Sequence, residues 1–233
     1  MSRKSKNTHT KLQRNLITEL GTSSPVSEQY RTLRTNIEFS AVDKEIKTIL
    51  VTSAGPAEGK STTAANLAVV MAQNGNSVLL VDADLRKPTM HYTFGVSNMR
   101  GLTNVITKQG SLEEVVQETK VENLSLLPSG PIPPNPAELL NSRMMGLIFE
   151  RAKEIFDTII IDSPPVMAVA DAQILASKCD GTVLVVSSGK TEREDVKKAK
   201  DQLLNSKATI LGAVLNNKKI ESGSYYYYSS TSN

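Results

Sequence analysis

The sequence predicts an α/β fold, a mostly parallel twisted sheet with helices on both faces. Three observations predict it. Six apolar runs rich in Val, Ile and Leu recur along the chain, helical patterns separate them, and several runs end directly in glycine-rich or acidic turns. Strands buried on both faces read as continuous apolar runs rather than as alternation. Strands that alternate with helices build parallel sheets whose crossovers cover both faces.

Taken in order, the first expected element is a helix over residues 25–40. Ser24 can cap it and Pro25 suits its first position. Glu28, Arg31 and Arg34 recur every third residue and so line one side. Strands are expected at Thr48–Ser53, 77–82, 123–127, Thr158–Asp162, Gly181–Ser187 and 209–216. Helical patterns occupy 60–74, 111–118, 136–154, 169–178 and 191–205, and residues 95–110 fit either a loop over a site or an interface element. The expected division is a basic flexible segment at 1–24, one domain over 25–220 that includes the first helix, and a flexible tail at 221–233. The tail holds Ser, Gly, Thr, Asn and Tyr but no aliphatic residue, too little apolar surface to offset ordering.

Composition narrows the function classes. With 233 residues, 39% hydrophobic and 22% charged, the chain has the balance of a globular domain with one sizeable core. A net charge of +3 is too small to imply a nucleic-acid partner. Five basic residues and no acid fall within residues 1–14, which reads as a solvated segment or a weak attraction to an anionic membrane surface. No run reaches the ~20 apolar residues that span a bilayer, and no apolar stretch behind the basic start resembles a signal peptide. A single cysteine, Cys179, leaves no disulfide framework or cysteine metal site within the chain and suits a reducing compartment.

The motifs carry more. The run at Thr48–Ser53 leads into Ala54-Gly55-Pro56-Ala57-Glu58-Gly59-Lys60-Ser61 and then Thr62 at the start of a helix. This is P-loop spacing with Ala54 in place of the first glycine. A loop closing onto a helix N-terminus aims backbone N–H groups inward and adds the positive end of the helix dipole, which makes an anion cradle. Gly59 lets backbone approach phosphate, Lys60 neutralises β/γ oxygens, and the Ser61 hydroxyl can ligate Mg²⁺. These residues predict ATP and Mg²⁺ as cofactors.

Two later strands end in acids, at Asp82-Ala83-Asp84 and at Asp162-Ser163-Pro164-Pro165. Ligands of open parallel sheets gather at the carboxyl ends of the strands, so all three acids are expected to face the phosphate site. Asp162 fits a metal-holding role through water; Asp82 or Asp84 could activate a nucleophile or complete the metal shell. Capping of the following turns is the plainer alternative for any one of them. Arg86 and Lys87 fit a γ-phosphate sensor, a subunit contact or plain surface charge. At the other end, Tyr225, Tyr226, Tyr227 and Tyr228 are four of only six tyrosines, flanked by Ser, Gly and Thr. Such a cluster suits phosphoacceptors, each phosphate adding about −1.5 to −2 charge.

Assembled, these segments resemble the bacterial tyrosine kinases of Gram-positive capsule and exopolysaccharide systems. The resemblance runs from about Ser27 to the terminal tyrosines. Glu28-Gln29-Tyr30-Arg31-Thr32-Leu33-Arg34, the P-loop, Asp82 to Pro88, Ser129 to Leu140 and Asp162 to Pro165 carry it. It implies a P-loop NTPase fold of the MinD/ParA kind and a kinase that phosphorylates its own tail in trans. Lys60 and Ser61 then serve nucleotide and metal, and Asp82 and Asp84 form a second acidic motif. Asp162 is the Walker B acid, while Glu28, Arg31 and Arg34 form a ring-assembly signature. Asn216 matches a position that contacts adenine in related ATPases. Implied partners are a separate transmembrane activator, other copies of the chain, tyrosine-bearing protein substrates and a cognate tyrosine phosphatase. The expected location is cytoplasmic, at the inner face of the membrane. The rival reading is an ATPase switch of the MinD/ParA type, against which stand Gly55, where such switches carry a signature lysine, and the tyrosine cluster. A nucleotide-dependent scaffold without turnover is the third.

Overall fold

A computed structural model of the chain describes Leu16 and residues 24–40 and 45–218. The four consecutive tyrosines and the basic residues of 1–14 lie outside those residues. The elements follow in the order α1 (Pro25–Ser40), β1 (Thr48–Ser53), α2 (Lys60–Ala72), β2 (Val78–Asp82), α3 (Met90–Phe94), α4 (Leu102–Ile106), α5 (Leu112–Val115), β3 (Gln117–Glu118) and β4 (Leu124–Leu127). After these come α6 (Pro136–Asn141), α7 (Arg143–Ile155), β5 (Thr158–Asp162), α8 (Asp171–Ala176), β6 (Gly181–Ser187), α9 (Arg193–Asn205) and β7 (Ile210–Asn216).

The sheet runs β3-β4-β2-β5-β1-β6-β7. Every pairing is parallel except that of β3 with β4. The strand-like runs are therefore buried on both faces, and successive residues feed two different cores. Leu50, Leu79, Val81, Ile159, Ile161 and Leu184 face one cluster, with side chains of α4 to α9. Ile49, Val51, Leu80, Ile160, Val183 and Val185 face the other, with α1, α2 and α3. Helix α2 sits at the centre of the second face and buries eleven of its thirteen residues, which explains its run of Ala, Val and Leu without a polar stripe. Leu16 also packs there, in the same cluster as Tyr30 and Ile37.

Three expectations change in detail. The pattern over 111–118 is a four-residue helix followed by extended backbone, because Gln117 and Glu118 pair antiparallel with Leu126 and Ser125. The pattern over 136–154 is two helices. Ser142 leaves the helical region (φ −63°, ψ 157°) and its side chain accepts from the Met145 N–H, so it ends α6 and caps α7. Residues 95–110 are not one loop, since α4 lies within them.

Parallel strands bring the P-loop and the turns after β2, β4, β5, β6 and β7 to one end of the sheet. β1 lies between β5 and β6, with β2 beyond β5, so the acidic ends of β5 and β2 lie to one side of the P-loop.

Candidate active site

The phosphate loop is held in shape from three directions. Inside it, Glu58 Oε1 accepts the Gly55 N–H at 2.9 Å. From the end of β7, Asn216 Nδ2 donates to the Glu58 carbonyl at 3.0 Å. From the turn after β6, Lys190 Nζ donates to the carbonyls of Pro56 (2.8 Å) and Ala57 (3.1 Å). Two residues adopt left-handed backbone, Ala57 (φ 58°) and Gly59 (φ 96°). Alanine holds that conformation at a cost of about 1–2 kcal/mol, a strain typical of functional loops. At Gly59 a side chain is excluded twice, by φ and because a Cβ would run into the Asn216 amide. Pro56 has no N–H, so it shapes the loop without contributing a donor.

Helix α2 begins at Lys60 and brings its side chain to the acids. Lys60 Nζ lies 3.0 Å from Asp84 Oδ2, 3.6 Å from Asp162 Oδ1 and 3.0 Å from Ser61 Oγ. Burial pulls the ammonium pKa down, but Asp162, Asp84 and Asp82 together outweigh it and hold it above the ordinary lysine value. Asp84 is fixed on its other oxygen by the Lys87 N–H at 3.0 Å.

Asp82 and Asp162 are register partners on adjacent strands and both are fully buried. Burial, with the Asp162 charge beside it, pushes the Asp82 carboxyl up to about 7. Two amide donors oppose that rise, since Asp82 Oδ2 accepts the N–H groups of Thr89 (3.0 Å) and Met90 (2.9 Å). Those bonds anchor the start of α3. Asp82 Oδ1 is buried and has no hydrogen-bond partner among the described residues.

The donor set suits a hard cation. A hydroxyl and carboxylate oxygens at the mouth of an anion cradle match the preference of Mg²⁺ for oxygen ligands shared with substrate phosphates. No cluster of three or more His, Cys, Asp or Glu side chains placed to hold a metal occurs among the described residues.

Known proteins resemble this chain in sequence and in fold. The AAA_31 family, described as an AAA domain, matches residues 46–198. A tyrosine-protein kinase of Bacillus subtilis, YwqD, is 54% identical over 226 residues, spanning 97% of this chain and 95% of that protein. The chain belongs to the bacterial tyrosine-protein kinases. The crystal structure of the chimerical protein CapA2B2 superposes on the kinase with a TM-score of 0.85 at 41% identity, covering 88% of this chain and 90% of that one. The septum site-determining protein MinD of Pyrococcus horikoshii superposes with a TM-score of 0.63 at 26% identity, covering 72% and 69%. The P-loop fold of the MinD kind is thus the fold of the kinase.

Of the residues singled out from sequence, residues 55–62, Asp82, Asp84, Asp162 and Asn216 come together at one end of the sheet. Asn216 meets the P-loop backbone. Arg86 forms a two-pronged ion pair with Asp171 at 2.9 and 3.0 Å, and Asp171 is fully buried at the start of α8. On α1, Arg31 pairs with Glu28. Arg34 Nη1 donates to the Val70 carbonyl of α2 at 3.1 Å, and its Nε lies 3.6 Å from Glu38. That side chain ties α1 to α2 within one chain. Sequence reasoning missed Lys190, 134 residues from Pro56, and Asp171, 85 residues from Arg86. Neither has a local spacing signal.

Proposed function

We propose that the kinase transfers the γ-phosphoryl group of ATP, with Mg²⁺, to the tyrosines at 225–228 of a neighbouring copy. The observation that carries the reading is the buried group of Lys60, Asp82, Asp84 and Asp162 at the mouth of the P-loop. The loop amides and Lys60 bind the phosphates; on arrival of ATP, Lys60 exchanges Asp84 for β/γ oxygens. Ser61 and Asp162 are the residues to hold Mg²⁺, which when bound neutralises charge on the phosphates. Tyrosine Oη then forms a bond to the γ-phosphorus, the bond from that phosphorus to the β,γ-bridging oxygen breaks, and ADP leaves.

The tyrosine proton goes to a carboxylate. Asp82 suits this better than Asp84. One of its oxygens is fixed by amides and the other, buried, has no hydrogen-bond partner among the described residues. Asn216, bonded to the P-loop, is placed in this reading on the adenine side.

No helix among the described residues is long and apolar enough to cross a membrane. We place the kinase at the cytoplasmic face of the membrane, in a ring of copies joined through Glu28, Arg31 and Arg34. A separate transmembrane activator recruits it there, a phosphatase reverses its tail modification, and the cycle regulates exopolysaccharide synthesis and export.

The test is incubation with Mg-ATP and the activator's cytoplasmic peptide, followed by mass spectrometry. Phosphate on residues 225–228 in the parent chain and none in Lys60→Met supports the reading. ATP hydrolysis with no tail phosphate overturns it in favour of a MinD-type switch.

A further inference from the structure

Glu58 is the one acid of the phosphate loop, and it is only 4% exposed. Its Oε1 reaches back three residues to accept the Gly55 N–H at 2.9 Å, while Ser53 Oγ donates to the Gly55 carbonyl at 2.7 Å. Both polar groups of residue 55 are thereby fixed. Glu58 Oε2 is buried and has no hydrogen-bond partner among the described residues. The two lysines at the loop are engaged elsewhere, Lys190 on the carbonyls of Pro56 and Ala57, and Lys60 on Asp84 and Asp162. A carboxylate enclosed in this way is costly to keep, because it loses hydration and gains no cation in return. Placing it in a loop whose amides receive phosphate adds repulsion to that cost.

The same carboxylate accounts for Gly55. The backbone there is not left-handed, unlike that of Gly59, so φ does not demand a glycine. A Cβ on residue 55 would stand 3.1 Å from Glu58 Oε1, closer than ordinary packing. A side chain at 55, the lysine of the ATPase switches included, and an inward Glu58 therefore compete for one space.

We infer that Glu58 is a positioning residue with two opposed effects on nucleotide: its hydrogen bond to Gly55 holds the loop in its binding shape, and its charge weakens the loop's hold on phosphate. The inference rests on the nucleotide reading above and adds to it what sets the affinity. The hydrogen bond closes a turn across residues 55–58, immediately before Gly59 and Lys60. The amides that receive phosphate are thus aimed before nucleotide arrives, and less freedom is lost on binding. The charge acts the other way. Water is kept from the carboxylate, so its repulsion of a phosphate held in the same loop is weakly screened. The result is a site formed in advance that still releases ADP after transfer.

Two substitutions separate the effects. Glu58→Gln keeps an oxygen that can accept the Gly55 N–H and removes the charge. Glu58→Asp keeps the charge but is one methylene too short to reach Gly55. The measurement is titration calorimetry of the full-length chain with ADP, with and without Mg²⁺. Glu58→Gln is expected to bind ADP about fivefold more tightly than the parent chain, and Glu58→Asp about fivefold more weakly. A role in folding alone would move both variants in the same direction or neither. Equal or weaker binding by Glu58→Gln removes the charge effect, and equal or tighter binding by Glu58→Asp removes the positioning; either result overturns the inference. A parent chain that binds no ADP overturns the nucleotide reading itself.

Discussion

Lys60 Nζ lies 3.0 Å from Asp84 Oδ2, so the lysine of the phosphate loop is ion-paired before any nucleotide arrives. The pair is nearly buried, with the two side chains 11% and 7% exposed. Removing one partner of a buried pair strands the other's charge. Lys60→Met is therefore expected to abolish phosphoryl transfer and to destabilise the nucleotide-free protein by about 2–4 kcal/mol at pH 8. The cost is smaller at pH 6, where Asp82 takes up a proton, and smaller again in Lys60→Met/Asp84→Asn. Urea denaturation at the two pH values measures both.

Asp82 gives a second pH dependence. Its folded pKa, about 7, is raised above the ordinary carboxyl value, so the folded state binds more protons than the unfolded chain between about pH 4 and 7. The favourable contribution is complete below that window and is lost as pH rises through 7. Metal-free protein is expected to lose up to about 4 kcal/mol between pH 4 and 8 from this residue, and Asp82→Asn flattens the profile. Mg²⁺ beside the carboxylates favours the ionised form, so Mg-nucleotide should shift the profile to lower pH. Thermal melts with and without Mg-nucleotide read the shift.

Gly59 and Asn216 make a steric pair. Gly59→Ala meets both the positive φ and the Asn216 amide, and we expect loss of nucleotide binding with about 1–3 kcal/mol of destabilisation. Trimming the amide in Gly59→Ala/Asn216→Ala relieves the collision but not the φ, so only part of the stability returns. Calorimetric titration with ADP and denaturation curves separate the two components.

Lys190 touches only loop carbonyls, yet it fixes where the amides point. Lys190→Ala is expected to raise KM for ATP about five- to tenfold, the weight of roughly one to two hydrogen bonds from a charged donor partly screened by water. The kcat should hold, since no reacting group is touched. Steady-state kinetics over a range of ATP concentrations distinguish this from a general loss of activity.

Arg86 balances the fully buried Asp171 and so joins the turn after β2 to α8. Arg86→Ala should cost about 2–3 kcal/mol, less than for an enclosed pair because the arginine side is 40% exposed and water can partly replace it. In Arg86→Ala/Asp171→Asn most of that cost should disappear, a coupling that denaturation of all four combinations will measure.

How far the sequence could be read follows from the range of the interactions. β1, β5 and β6 stand where their apolar runs stand, because continuous burial leaves an unmistakable record. So does α1, marked by Ser24 and Pro25. β3 left no such record: two polar residues form a strand only because β4 lies beside them. The five-residue α3 is anchored by Asp82 at the end of β2, eight residues before Met90, and the break at Ser142 is a capping choice that a continuous helical pattern conceals. In the candidate site, residues close in sequence were legible through motif spacing. Lys190 and Asp171 were not, because each acts on a partner far along the chain. Arg34 carried a pattern that suggested an intersubunit role; within the chain it also binds the end of α2, a contact that spacing alone could not reveal.

The lone thiol has a practical consequence. Cys179 is only partly enclosed as a residue, but its sulfur packs against the core, and burial, with Asp180 alongside, pushes its pKa well above the ordinary thiol value. A thiol kept protonated in that way reacts slowly with maleimides and iodoacetamides at neutral pH. The native chain is thus already a quiet background for site-directed labelling. A cysteine introduced beside the tyrosines would be the one fast-reacting position, and a fluorophore there would report on that segment alone.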